Sequence, residues 1–152
     1  MQAEHAVGAR GEALLVRHHE EGLEMRYRNA LAVAAVALLA ACSSAPIMNV
    51  DKAAVTTASG KALNREQVRT AIVGAGAALG WTFKDENQNL VIGTLNLRNH
   101  SAVIEISYSP SDYSVKYRSS TNLDEKGGSI HKNYNGWIQN LQRGINARLS
   151  AS

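Results

Sequence analysis

The chain has 152 residues, with 16 lysines and arginines against 13 aspartates and glutamates, one cysteine, and aromatic side chains at 5% of positions. That length suits one small domain, and a lone thiol excludes an internal disulfide and any multi-cysteine zinc or redox motif. The formal charge of +3 is spread along the sequence, whereas a nucleic-acid interface concentrates its lysines and arginines, so no nucleic-acid partner is expected.

Residues 1–24 carry Glu20, Glu21 and Glu24 close before a short basic stretch, Met25-Arg26-Tyr27-Arg28-Asn29. From Ala30 to Leu38 the chain is apolar, and small residues close the run. Basic start, apolar core and small-residue end are the pattern of a secretory signal peptide over 25–41. The apolar run is too short for a spanning helix, which needs roughly 20 residues. An acidic extension ahead of such a segment is unusual, so Met25 is the expected start, with residues 1–24 an artefact of start-site assignment. A genuine cytoplasmic extension is the alternative. His5, His18 and His19 fall in that stretch and are given no role.

Leu39-Ala40-Ala41-Cys42, followed by Ser43-Ser44, resembles the lipobox of bacterial lipoproteins. The resemblance implies that a diacylglyceryl group joins the Cys42 thiol, that the peptide is cut before Cys42, and that the new amino group is acylated. Several acyl chains together hold a protein firmly on a bilayer where one binds only marginally. Ser43 in place of aspartate implies sorting to the inner leaflet of the outer membrane, with the domain facing the periplasm. From Cys42 onward the chain has 12 lysines and arginines against 8 aspartates and glutamates, a mild positive balance.

Residues 42–61 are rich in Ala, Ser and Thr without sustained periodicity, and are expected to form a flexible tether. A single α+β domain is expected over 62–152. Asn64-Arg65-Glu66-Gln67 has the form of a capping box. Val68, Ala71, Ile72, Ala75 and Leu79 follow at helical spacing, with Gly80 as the stop. Trp81–Lys84 then reads as a short strand, Asp85–Asn89 as a turn, and Leu90–Leu97 as a second strand. A turn at Arg98-Asn99-His100 leads to a third strand through Ala102, Ile104, Ile106 and Tyr108. After the turn Ser109-Pro110-Ser111-Asp112, Tyr113, Val115 and Tyr117 alternate with Ser114, Lys116 and Arg118 in a fourth. Ser119–Ser129 reads as a loop. Tyr134, Trp137, Ile138, Leu141 and Ile145 form one apolar stripe on a last helix. The expected fold is helix, antiparallel meander of three to four strands and C-terminal helix, both helices covering one face of the sheet. Trp137 is expected to be a main core contact, and the fragment from Lys61 to Ser152 to fold alone.

Gly74-Ala75-Gly76 with Gly80 has glycines in number for a nucleotide loop, but here they close a helix instead of opening one after a buried strand. No carboxylate pair or nucleophile-base arrangement can be argued from order, so neither an enzyme nor a cofactor is expected. Asp85, Glu86, Asp124 and Glu125 fall in expected loops, and His100 in a solvated turn. Tyr108, Tyr113, Tyr117, Tyr134 and Trp137 hold most of the aromatic content after Cys42. They can form the core, or line a pocket between the sheet and the last helix in which His131 takes part.

Gly80-Trp81, Gly93, Ala102-Val103, Tyr108, Tyr113-Ser114-Val115-Lys116-Tyr117, Ser119-Ser120, Asn122-Leu123, Ile130-His131, Tyr134-Asn135, Trp137-Ile138 and Leu141 together resemble a group of small bacterial lipoproteins with no assigned activity. These are core and turn residues, so the resemblance implies fold and envelope location without a catalytic role. The functional expectation is a lipid-anchored, non-enzymatic binding or scaffolding module with an envelope protein partner. The alternative is a small-ligand or peptide-binding domain using the aromatic pocket near His131.

Overall fold

The structure, a computed structural model, describes residues 43–152; the extension and signal peptide expected from the sequence, and Cys42, lie outside the described residues. The chain runs β1 (Ser44–Pro46), β2 (Val50–Ala54), α1 (Arg65–Ala77), β3 (Trp81–Asn87), β4 (Leu90–Leu97), β5 (His100–Tyr108), β6 (Asp112–Thr121), β7 (Ser129–His131) and α2 (Lys132–Ser150). It is an α+β fold: a five-stranded antiparallel sheet in the order β2-β6-β5-β4-β3, two helices, and a two-stranded ribbon of β1 with β7.

α1 starts where the capping box predicts. The Asn64 side chain accepts from the Gln67 amide and the Gln67 side chain accepts from the Asn64 amide, both at 2.9 Å, which satisfies two of the donors a helix start leaves open. Val68, Ala71, Ile72 and Ala75 are buried along one stripe. The helix ends at Ala77, two residues short of Leu79, which therefore leaves the stripe and is 41% exposed. Gly76 sets how closely α1 approaches the sheet, since a Cβ there would lie 2.3 Å from the Phe83 ring. Gly80 turns the chain into β3 at φ +86°, where a side chain is disfavoured.

β3 to β6 form the meander. β3 extends to Asn87, with a register irregularity between Asp85 and Asn87, so Asp85 and Glu86 belong to a strand and not to a turn. Leu97 pairs with His100 across a two-residue connection in which Arg98 takes the left-handed conformation that such tight hairpins require. The cross-strand series Trp81–Leu95–Ala102 and Phe83–Gly93–Ile104–Tyr117 places the buried side chains on one pleat face. α1 meets that face at Trp81 and Phe83. α2 meets it at Tyr117, whose ring is edge-on to Tyr134 at 5.4 Å, and at Tyr113, which donates to Asn146 Oδ1 at 2.7 Å. Against each other the helices use small residues, with Gly144 opposite Ala75.

The segment read from the sequence as a tether is part of this fold. β2 is the edge strand beside β6, Val50 opposite Val115 and Ala54 opposite Asp112, with a bulge at Lys52 (φ +44°). Val50 is 5% exposed; Asn49 Oδ1 accepts from the Tyr117 amide at 2.8 Å, and the Val55 amide donates to the Ser111 carbonyl at 2.8 Å. The pattern escapes the sequence because β2 buries one large side chain and is held by the ladder that β6 offers. β7 escapes for a related reason: three residues inside a polar loop suffice when β1 supplies the other strand.

Candidate functional site

Two open grooves flank the first turns of α1. One, of about 480 Å³, is lined by Arg65, Glu66, Arg69, Asp85, Asn87, Gln88 and Tyr108. The other, of about 420 Å³, is lined by Asn64, Glu66, Gln67, Thr70, Ala71, Arg148, Ala151 and Ser152. Glu66 borders both, so the start of α1 is a ridge between them.

In the first groove the Arg69 fork grips Asp85, Nε to Oδ1 at 2.9 Å and Nη2 to Oδ2 at 2.8 Å, with Glu66 at 3.4 Å from Nη1. A bidentate guanidinium–carboxylate contact fixes both partners, and the hydrogen bond to Asp85 raises the Arg69 pKa further above its ordinary value. Arg65, one helical turn earlier, is exposed and makes no ion pair among the described residues. It is the cation this groove leaves open to an incoming acceptor. Tyr108 is buried and donates to the Gln88 carbonyl at 3.3 Å; burial raises its pKa, with Arg69 opposing.

Among the described residues, the aromatic residues named from the sequence are divided between the first groove and the core. Tyr108 belongs to the first groove, and Tyr113 and Tyr134 are fully buried. Tyr117 shares its hydroxyl with Ser120 at 2.9 Å. Trp137 packs at the margin of the core, half-buried. His131 ends β7 opposite Ser44 and caps α2, its Nδ1 accepting from the Asn133 amide at 3.3 Å. The space between sheet and last helix is filled by Tyr134, Ile138, Leu141 and Ile145, all buried. His100 also differs from expectation: it opens β5, and its Nδ1 lies 2.7 Å from the Asn122 carbonyl.

Sequence order did not single out Arg65, Arg69 and Asp85. The available signal was the i, i+4 spacing of the two arginines beside, and not on, the apolar stripe of α1. Nothing in the order shows that Asp85 reaches Arg69.

Tyr134 carries a buried hydroxyl without a hydrogen-bond partner among the described residues, whereas the Tyr113 hydroxyl is paired. A buried unpaired hydroxyl costs about 1–3 kcal/mol and a made hydrogen bond contributes about 1. Tyr134→Phe is therefore expected to raise the urea midpoint and Tyr113→Phe to lower it. Burial pushes the Tyr113 hydroxyl up to about 12 and that of Tyr134 up as well. The folded state thus keeps both protons above pH 10 while the unfolded state loses them, so stability is complete below about pH 10. It falls as pH rises toward 12 and beyond. Urea midpoints between pH 8 and 11.5 check this; the double phenylalanine variant should show a shallower alkaline loss than the wild type, and an equal slope would assign the loss to other groups.

No family model matches the chain, and neither the curated proteins nor the solved structures contain a match to it.

Proposed function

We propose that this is a lipid-anchored protein of the bacterial cell envelope, held by acyl chains on Cys42 at the inner leaflet of the outer membrane and acting in the periplasm as a non-enzymatic binding or scaffolding module. The observation that carries the anchor is Leu39-Ala40-Ala41-Cys42 at the end of a basic and then apolar segment. The binding role draws support from the ridge at the start of α1. Its grooves are open and bordered by polar and charged residues, Arg69 is held in place by Asp85, and Arg65 is left to pair with a carboxylate or a backbone carbonyl. Such a surface suits an envelope protein partner. A second reading, a small-ligand or peptide-binding domain, is favoured by Tyr108, which places an aromatic side chain in the groove with Arg65.

The anchor is tested in cells given labelled palmitate. Wild-type protein is expected to take up label, and Cys42→Ser to lose it and accumulate as precursor; label retained by Cys42→Ser overturns the anchor. The binding role is tested by recovery of the protein from solubilised membranes. A co-purifying protein that is lost with Arg65→Glu supports the scaffold, and a small molecule lost with the same change supports the second reading.

A further inference from the structure

We propose that the folded domain lies directly on the membrane that anchors it, with the β1–β7 end against the lipid headgroups. The proposal rests on the lipid-anchor reading and adds to it where the domain sits. Its basis is the length of chain between the acylated residue and the first residue built into the fold. Ser44 already pairs with His131, Ala45 with Ile130 and Pro46 with Ser129. Two residue steps span at most about 7 Å fully extended, so the Cys42 backbone cannot be farther than that from Ser44. A flexible tether of 20 residues would have a root-mean-square reach of about 25 Å; the fold leaves no such slack.

This short leash ends on a ribbon that cannot peel away cheaply. Asn135, in the first turn of α2, donates to the Pro46 carbonyl at 2.9 Å and accepts from the Met48 amide at 3.0 Å. The Ile47 amide donates to the Gly128 carbonyl at 2.9 Å. β1 begins at Ser44 beside His131, the residue that precedes α2, where Lys132 and Asn133 are exposed. The nearby loop carries Asp124 and Glu125 as well as Lys126, so this end has both signs of charge. What holds it to the headgroups is the leash and not a demand for anionic lipid. α2, 19 residues long, extends about 28 Å from this end to the groove at Arg148 and Ala151. Ser44, where the leash enters the fold beside His131, and the groove at Arg148 and Ala151 therefore sit at opposite ends of α2. The reach of the binding ridge above the bilayer is set by the fold and not by a linker.

The test uses the acylated full chain in vesicles of phosphatidylethanolamine and phosphatidylglycerol containing headgroup-spin-labelled lipid. Once Cys42 is acylated, an introduced cysteine is the only free thiol, so a fluorophore can be placed at Asn133→Cys or Ala151→Cys alone. Quenching is expected to be at least threefold stronger at position 133 than at 151. Insertion of a 20-residue Gly-Ser linker between Ser43 and Ser44 should bring 133 down to the level of 151 while the protein still floats with the vesicles. Equal quenching at the two positions in the unaltered, floating protein overturns the docking but leaves the anchor standing. Absence of acyl mass on Cys42, with loss of flotation, overturns the anchor and the docking with it.

Discussion

A fragment beginning at Lys61 is expected to be poorly folded or aggregated, while one beginning at Ser43 folds as a soluble domain. The difference between them is β1, β2 and the connection to α1. Removing it strips the outer ladder from β6, takes Val50 from the core and Ile47 and Met48 from its margin. Burial of a single large aliphatic side chain contributes about 1.5–3 kcal/mol, so the loss should exceed about 4 kcal/mol before any backbone bond is counted. A small domain holds about 5–15 kcal/mol in all. The newly bare β6 is also a long edge able to pair with another chain; in the whole domain β2 closes it with a bulged, polar strand. Amide exchange and size-exclusion elution of the two fragments check this. Equal stability would return residues 43–60 to the role of a tether, and the proposed docking of the domain on a membrane would go with it.

The sequence was most legible where one element carries its own complete signal. The capping box of Asn64 and Gln67 names the first residue of α1, and the alternation of Tyr113, Val115 and Tyr117 with polar neighbours names the buried face of β6. The stripe through Tyr134, Ile138, Leu141 and Ile145 names the buried side of α2. It was least legible where structure is imposed by a partner. β2 has a single buried large residue and a bulge, so neither period is visible; its place comes from the ladder along β6. The groove beside α1 depends on Asp85 of β3 meeting Arg69 of α1, a pairing that exists only once the sheet is assembled. The aromatic residues show both cases together. Periodicity put Tyr113 and Tyr117 on the inner face, but whether that face bounds a cavity or a core was decided by how fully α2 fills it.

Trp81→Ala is expected to destabilise the domain far more than Trp137→Ala, the reverse of what the stripe on the last helix suggests. Trp81 is 3% exposed, opposes Leu95 in the β3–β4 ladder, and has its Cβ against the backbone of α1 at Gly76. It therefore joins the sheet to the first helix, and its loss opens a cavity between two layers that cannot close without moving α1. A change of this kind costs about 3–5 kcal/mol. Trp137 lies one position from Ile138 on α2, rotated off the centre of the stripe, and packs on the core from its margin. Water already reaches part of its ring, so truncation removes contacts without leaving a closed void, and about 1–2 kcal/mol is expected. Urea midpoints of the Ser43–Ser152 fragment, followed by far-ultraviolet circular dichroism so that neither indole is the reporter, compare the two directly. A larger loss for Trp137→Ala would mean that the start of α2, and not the α1–β3 contact, is the more tightly packed part of the domain. A loss near zero would leave the Trp137 ring free for an incoming partner at the start of α2.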